Sequence, residues 1–125
     1  MAEDFVNKKK IVLVADDDID LLQLVKIQLQ RAGFIVHLSL NGQGIIEMAV
    51  EDHPDVILLD IAMDGISGGD ICKKLKMYDK TASIPVIMLS ANDNIEVIAH
   101  NCGANDFVRK PFILDTIREK ISQFA

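Results

Sequence analysis

Four apolar runs, each too short for a helix and each ending on a polar residue capable of chemistry, constrain this chain more than any other feature. They are Val12-Leu13-Val14-Ala15 before Asp16-Asp17, Val56-Ile57-Leu58-Leu59 before Asp60, Val86-Ile87-Met88-Leu89 before Ser90, and Phe107-Val108-Arg109 before Lys110. Near-continuous apolar strands mark a parallel sheet buried on both faces. Parallel strands of one sheet bring their carboxyl ends to one edge, where open α/β sheets bind ligands. Three carboxylates, a hydroxyl and an ammonium would converge there. That set suits a divalent cation and a phosphoryl group, with Asp60 as the acceptor.

Between the runs the pattern changes to a helical period. Leu21, Leu22, Val25 and Leu29 recur at helical spacing from Asp18 to Ala32, and Gly33 follows as a stop signal. Phe34 to Leu38 reads as a strand and Gly42 to Asp52 as a helix with Ile45, Ile46, Ala49 and Val50 on one face. His53-Pro54 breaks the pattern. Residues 64–69 read as a loop, and Asp70 to Met77 as a helix that buries Ile71 and Leu75. Ile95, Ile98, Ala99 and Cys102 mark a fourth helix capped by Gly103, residues 104–108 a fifth strand, and Ile113 or Leu114, Ile117, Ile121 and Phe124 a closing helix. The sum is an α/β fold, (βα)5, with helices on both faces of a parallel sheet. Right-handed crossovers leave a few doubly wound orders, among which periodicity does not choose. One domain is expected over residues 10–125, after a short lead-in at 1–9.

The net charge of −6 opposes direct nucleic-acid binding by this domain, since phosphate backbones require basic stripes. The basic run Lys8-Lys9-Lys10 reads as a solvated approach to the first strand. No apolar stretch approaches the roughly 20 residues of a membrane helix, and the acidic start Met1-Ala2-Glu3-Asp4-Phe5 lacks a signal-peptide core. A cytoplasmic protein without membrane attachment is expected. Cys72 and Cys102 have no metal-ligand or CxxC spacing, so reduced cysteines are the plain reading.

The site residues differ in what they suggest alone. Asp18 suits a helix cap, which leaves Asp16 and Asp17 at the strand end unexplained. Adjacent carboxylates repel one another unless a cation neutralises them, and oxygen-only ligation favours Mg2+ or a similar hard ion. Asp60 follows four aliphatic residues and lies too far from the next helix to cap it. Ser90 alone could be a turn former and Lys110-Pro111 a loop. Together they make chemical sense, because a carboxylate can carry a phosphoryl group as an acyl phosphate, and such transfer needs mainly positioning and charge stabilisation.

Val14-Ala15-Asp16-Asp17-Asp18, Leu58-Leu59-Asp60-Ile61-Ala62-Met63, Leu89-Ser90-Ala91, Gly103-Ala104-Asn105-Asp106-Phe107 and Arg109-Lys110-Pro111-Phe112 give the chain a resemblance, over nearly its whole length, to the receiver domain of two-component response regulators. The resemblance implies a flavodoxin-like fold with strand order 2-1-3-4-5. It implies Asp60 as phosphoacceptor, Asp16 and Asp17 as the acidic pair for Mg2+ (or Mn2+), and Ala62 as a backbone-carbonyl ligand to the metal. Ser90 would be the switch hydroxyl, Phe107 the switch aromatic and Lys110 the phosphate-binding lysine, before a peptide bond that is commonly cis. Such a domain receives its phosphoryl group from a sensor histidine kinase or a histidine phosphotransfer protein, and catalyses only its own phosphorylation and dephosphorylation. It signals through the fourth helix, fifth strand and fifth helix to an effector the sequence does not identify.

Two departures stand out. Asp64 occupies a position where the family often has proline, and Phe107 one where tyrosine is also common. The small Ala62 and Ala91 suggest easy access for water and a phosphorylated state that is not unusually long-lived. Two rival readings remain: a haloacid-dehalogenase-type Mg2+-dependent phosphohydrolase with Asp16 as nucleophile and Asp18 as acid/base, and a receiver-like scaffold that works without phosphorylation. The first leaves Asp60 without a role and lacks room after Lys110 for a further acidic motif. The second conflicts with the presence of acceptor, acidic pair and lysine together. His37, His53 and His100 have no metal-ligand spacing.

Overall fold

Alternating strands and helices wind into a single parallel sheet covered on both sides. The computed structural model describes residues 9–40, 42, 44–63 and 65–125. Its main elements are β1 (Ile11–Ala15), α1 (Ile19–Arg31), β2 (Ile35–Ser39), α2 (Ile45–Asp52), β3 (Val56–Asp60), α3 (Gly68–Met77), β4 (Val86–Ser90), α4 (Ile95–Cys102), β5 (Asp106–Arg109) and α5 (Leu114–Phe124). The strands run in the order β2-β1-β3-β4-β5, all parallel. This is the expected flavodoxin-like arrangement. Between β3 and α3, Ala62–Met63 and Ile66–Ser67 pair as a small antiparallel ribbon.

Side-chain alternation along the strands divides the interior in two. Val12, Val14, Leu58 and Leu89 face α1 and α5, where Leu22, Val25, Leu29, Ile117 and Ile121 cover them. Leu13, Leu59 and Met88 face the other way, onto Ile45 of α2, Leu75 of α3 and Ile95 of α4. Every residue of β3 and β4 is buried, which is why these runs are apolar throughout and do not alternate with polar residues. Each large aliphatic side chain removed from water contributes about 1.5–3 kcal/mol.

Several boundaries differ from the sequence reading for local reasons. Helix α2 starts at Ile45, because Gly44 sits in the left-handed region at φ 81°. Helix α3 starts at Gly68 and not at the expected Asp70, because the Ser67 hydroxyl accepts the Asp70 N–H at 3.3 Å and caps it there. Strand β5 begins at Asp106, two residues later than expected, since the Ala104 N–H still donates to the Ala99 carbonyl beyond Gly103 at φ 82°. Lys8 and most of the lead-in, like Asp64, lie outside the described residues. Among the described residues, no helix is long and apolar enough to cross a membrane.

Candidate functional site

Strand register assembles the site. Ala15 of β1 stands opposite Leu59 of β3, so the next residues, Asp16 and Asp60, emerge side by side. Asp60 is itself in register with Leu89 of β4, which puts Ser90 one step beyond it. Ser90 in turn opposes Arg109, the residue before Lys110. Backbone bonds continue past the strands: Asp16 N–H donates to Ser39 O at 3.2 Å, Ile61 N–H to Leu89 O at 3.1 Å and Lys110 N–H to Ser90 O at 2.9 Å. The reactive side chains thus stand on a fixed frame.

Asp16, Asp17 and Asp60 each offer a carboxylate oxygen within 4.8 Å of the others. Asp16 is 1% and Asp60 6% exposed, whereas Asp17 lies open to solvent. The Lys110 ammonium sits 2.7 Å from Asp16 Oδ2 and 3.6 Å from Asp60 Oδ1. Burial, followed by the charge of Asp16, pushes the Asp60 carboxyl up to about 6; Lys110 and the Ala62 N–H pull against that shift. Three carboxylates facing one ammonium leave excess negative charge in an oxygen-only donor set. That chemistry fits a hard divalent cation such as Mg2+.

Asp16 depends on Lys110 in the absence of metal. Replacing Lys110 by methionine is expected to lower stability in urea unfolding by about 2 kcal/mol, because it leaves the buried Asp16 carboxylate without its counter-charge and, among the described residues, with only the Asp18 N–H, at 3.0 Å, bonded to it. Millimolar Mg2+ should restore part of that loss. Equal urea midpoints for the two proteins would show that Asp16 does not need the lysine.

Ser90, Lys110 and Ala62 stand at this edge, whereas Phe107 lies two residues before the end of β5, opposite Met88. Ser90 is buried, and its Oγ accepts the Asn92 N–H at 3.0 Å, which uses the oxygen and not the hydroxyl proton. Phe107 is half-buried against the α2–α4 core. The Arg109 guanidinium lies 5.8 Å from its ring centroid and donates to the Asp93 carbonyl at 3.3 Å. The Lys110–Pro111 peptide bond is cis. Ala62 lies exposed on the ribbon beside Asp60. Asp18 does cap α1, accepting the Leu21 N–H at 3.1 Å, and stands outside the carboxylate cluster.

Sequence reasoning missed one residue that shapes the site. Gly68 donates its N–H to Ile61 O at 2.6 Å. A Cβ built on it would collide with the Asp60 carbonyl oxygen and lie 2.8 Å from Ile61 Cα. Glycine opening a helix, where alanine is the better former, was the available signal. The histidines play no part here: His37 pairs with Asp52 at 2.7 Å, His53 ends α2 at φ 46°, and His100 is exposed on α4.

Comparison with known proteins agrees with this geometry. The family described as response regulator receiver domain matches residues 12–122. The DNA-binding dual master transcriptional regulator RpaA of Synechocystis sp. is 33% identical over 112 residues, covering 88% of this chain and 46% of RpaA. The chain therefore spans less than half of that relative's length. The chemotaxis response regulator CheY4 of Vibrio cholerae superposes with TM-score 0.86 at 27% identity, covering 94% of this chain and 100% of CheY4. The receiver domain of the sensor histidine kinase PA1611 from Pseudomonas aeruginosa, solved with a magnesium ion coordinated in its active site cleft, shares the fold at 20% identity. Its TM-score is 0.85, with 94% of this chain and 98% of that one covered. With its sheet order, its converging strand ends and a family match that runs almost from end to end, this chain belongs to the response regulator receiver domain family of two-component signalling.

Proposed function

We propose that the domain is a phosphoryl-accepting switch, in which Asp60 takes a phosphoryl group from a phosphohistidine of a sensor histidine kinase or histidine phosphotransfer protein. The observation that carries this reading is the position of Asp60: buried at a strand end, inside a carboxylate cluster, 3.6 Å from the Lys110 ammonium. Receiver domains of this family are signalling switches that histidine kinases phosphorylate. Residues 10–125 would form the receiver domain, acting in the cytoplasm.

Asp16, Asp17, Asp60 and the Ala62 backbone carbonyl would hold Mg2+, or Mn2+ in its place. Bound there, the ion would neutralise charge on the phosphoryl oxygens. An Asp60 carboxylate oxygen attacks phosphorus; the P–N bond to the donor imidazole breaks as the new P–O bond forms, and the electron pair stays on the ring nitrogen. Lys110 shifts from Asp16 to a phosphoryl oxygen, and Ser90 turns its hydroxyl proton toward another. Phe107 rotates into the space Ser90 leaves. The α4-β5-α5 face then changes its preferred partner, as a bias on an existing equilibrium. Water admitted past the exposed Ala62 and small Ala91 hydrolyses the acyl phosphate and restores Asp60.

Incubation with acetyl phosphate and Mg2+ tests this proposal. Intact mass should rise by one phosphoryl group, stay unchanged when EDTA replaces Mg2+, and return to its starting value in hydroxylamine, which cleaves acyl phosphates. An addition that forms in EDTA and resists hydroxylamine would overturn the proposal.

A further inference from the structure

Cys72 and Cys102, thirty positions apart and without any motif, meet in the interior between α3 and α4. Both thiols are free and buried. The Cys72 thiol donates to the Cys102 carbonyl oxygen at 3.5 Å. Cys102 Sγ also donates to Ala99 O at 3.4 Å. None of these groups takes part in the phosphoryl chemistry.

A cation stands beside the pair. Lys76, one turn after Cys72 on α3, is held by the Ile84 carbonyl at 2.6 Å and the Ala82 carbonyl at 3.4 Å. Its charge acts on both sulfurs. A lysine ammonium beside a thiol favours the thiolate, the form that reacts. Cys102 is 7% exposed against 0% for Cys72, so its sulfur is the one a small oxidant meets first. Cys102 is the last residue of an eight-residue helix that ends on Gly103 at φ 82°. That places its sulfur at the boundary of the core and not at its centre.

We propose that Cys72 and Cys102 are a redox pair that a peroxide closes to an intramolecular disulfide, tying α3 to the end of α4. The Cys102 thiolate attacks one peroxide oxygen, the O–O bond breaks, and hydroxide leaves with a proton as water. The resulting sulfenic acid is attacked by the Cys72 sulfur, the S–O bond breaks, and a second water departs. Two thiols and one hydrogen peroxide become one disulfide and two waters, with two electrons passing from sulfur to oxygen. The closed loop contains β4, Ser90 and α4, so oxidation restrains the segment that follows the switch hydroxyl.

The test treats the domain with stoichiometric hydrogen peroxide, unfolds it in N-ethylmaleimide, and records intact mass, disulfide-linked peptides and amide exchange. The expected product is monomeric, lighter by two hydrogens, unlabelled by maleimide and reversed by dithiothreitol, with a Cys72–Cys102 linked peptide. Its α4 amides should exchange several-fold more slowly than in the reduced protein. Cys72→Ala and Cys102→Ala should each abolish it. Oxygen addition to Cys102 without closure, two maleimide-labelled thiols, a cross-linked dimer, or a disulfide that leaves α4 exchange unchanged would overturn the proposal. Because the linked peptide is read in the parent protein, the outcome does not depend on either variant folding.

Discussion

Asp60→Asn is expected to abolish phosphoryl uptake from acetyl phosphate completely and, at the same time, to make the protein more stable at neutral pH. The amide keeps the shape of the carboxyl and can still accept the Ala62 N–H, but it cannot form an acyl phosphate. The stability gain follows from electrostatics. A carboxyl held at about 6 when folded, against 3.8 ordinarily, binds its proton more tightly in the folded protein than in the unfolded chain. Its charged form therefore costs stability above that folded value, and the cost fades as pH falls from about 6 to 3.8. A shift of roughly two units corresponds to about 3 kcal/mol, most of which the amide should recover at neutral pH. Near the ordinary carboxyl value the two proteins should unfold together. Urea unfolding across this range, paired with intact mass, checks both halves. A phosphoryl group carried by the variant, or a variant less stable than its parent at neutral pH, would contradict the assignment.

Gly68→Ala should cost about 3 kcal/mol in thermal or urea unfolding, although alanine is the better helix former by about 1 kcal/mol. The methyl group would meet backbone atoms of Asp60 and Ile61, which cannot swing aside as a side-chain tip can. Gly69→Ala is the matched control: its Cβ would meet Ile98 Cγ2 and Ser67 Oγ at 3.5 Å, ordinary contact. The control is expected to be neutral or stabilising by up to about 1 kcal/mol. Similar midpoints for the two variants would remove the close approach as the reason for glycine. The clash also falls on the backbone of Asp60, so any folded Gly68→Ala protein should accept phosphoryl groups more slowly than the parent.

Much of this structure was legible from sequence because its signals are local. Val56 to Leu59 announces a strand buried on both faces, and Asp60 after it announces a reactive end. Shared strand direction then brings Asp16, Ser90 and Lys110 to the same edge. The strand order needed the family resemblance, since no run of residues encodes its neighbour. What stayed hidden depends on contacts between distant segments. The Cys72–Cys102 meeting, the His37–Asp52 hydrogen bond and the contact of Gly68 with the Asp60 backbone arise from how elements pack, and periodicity carries no record of them. The start of α3 was misplaced because two glycines outweighed the Ser67 cap.

The sheet also works as a partition. The residues beneath α1 and α5 form one interior and those beneath α2, α3 and α4 another, with the strand backbones between them. Phe107 and the cysteine pair all belong to the second compartment. The two compartments share no buried side chain, so a substitution in one core repacks its own helices before it reaches the other. Sequence change can therefore accumulate on one side of the sheet while the opposite core keeps its packing.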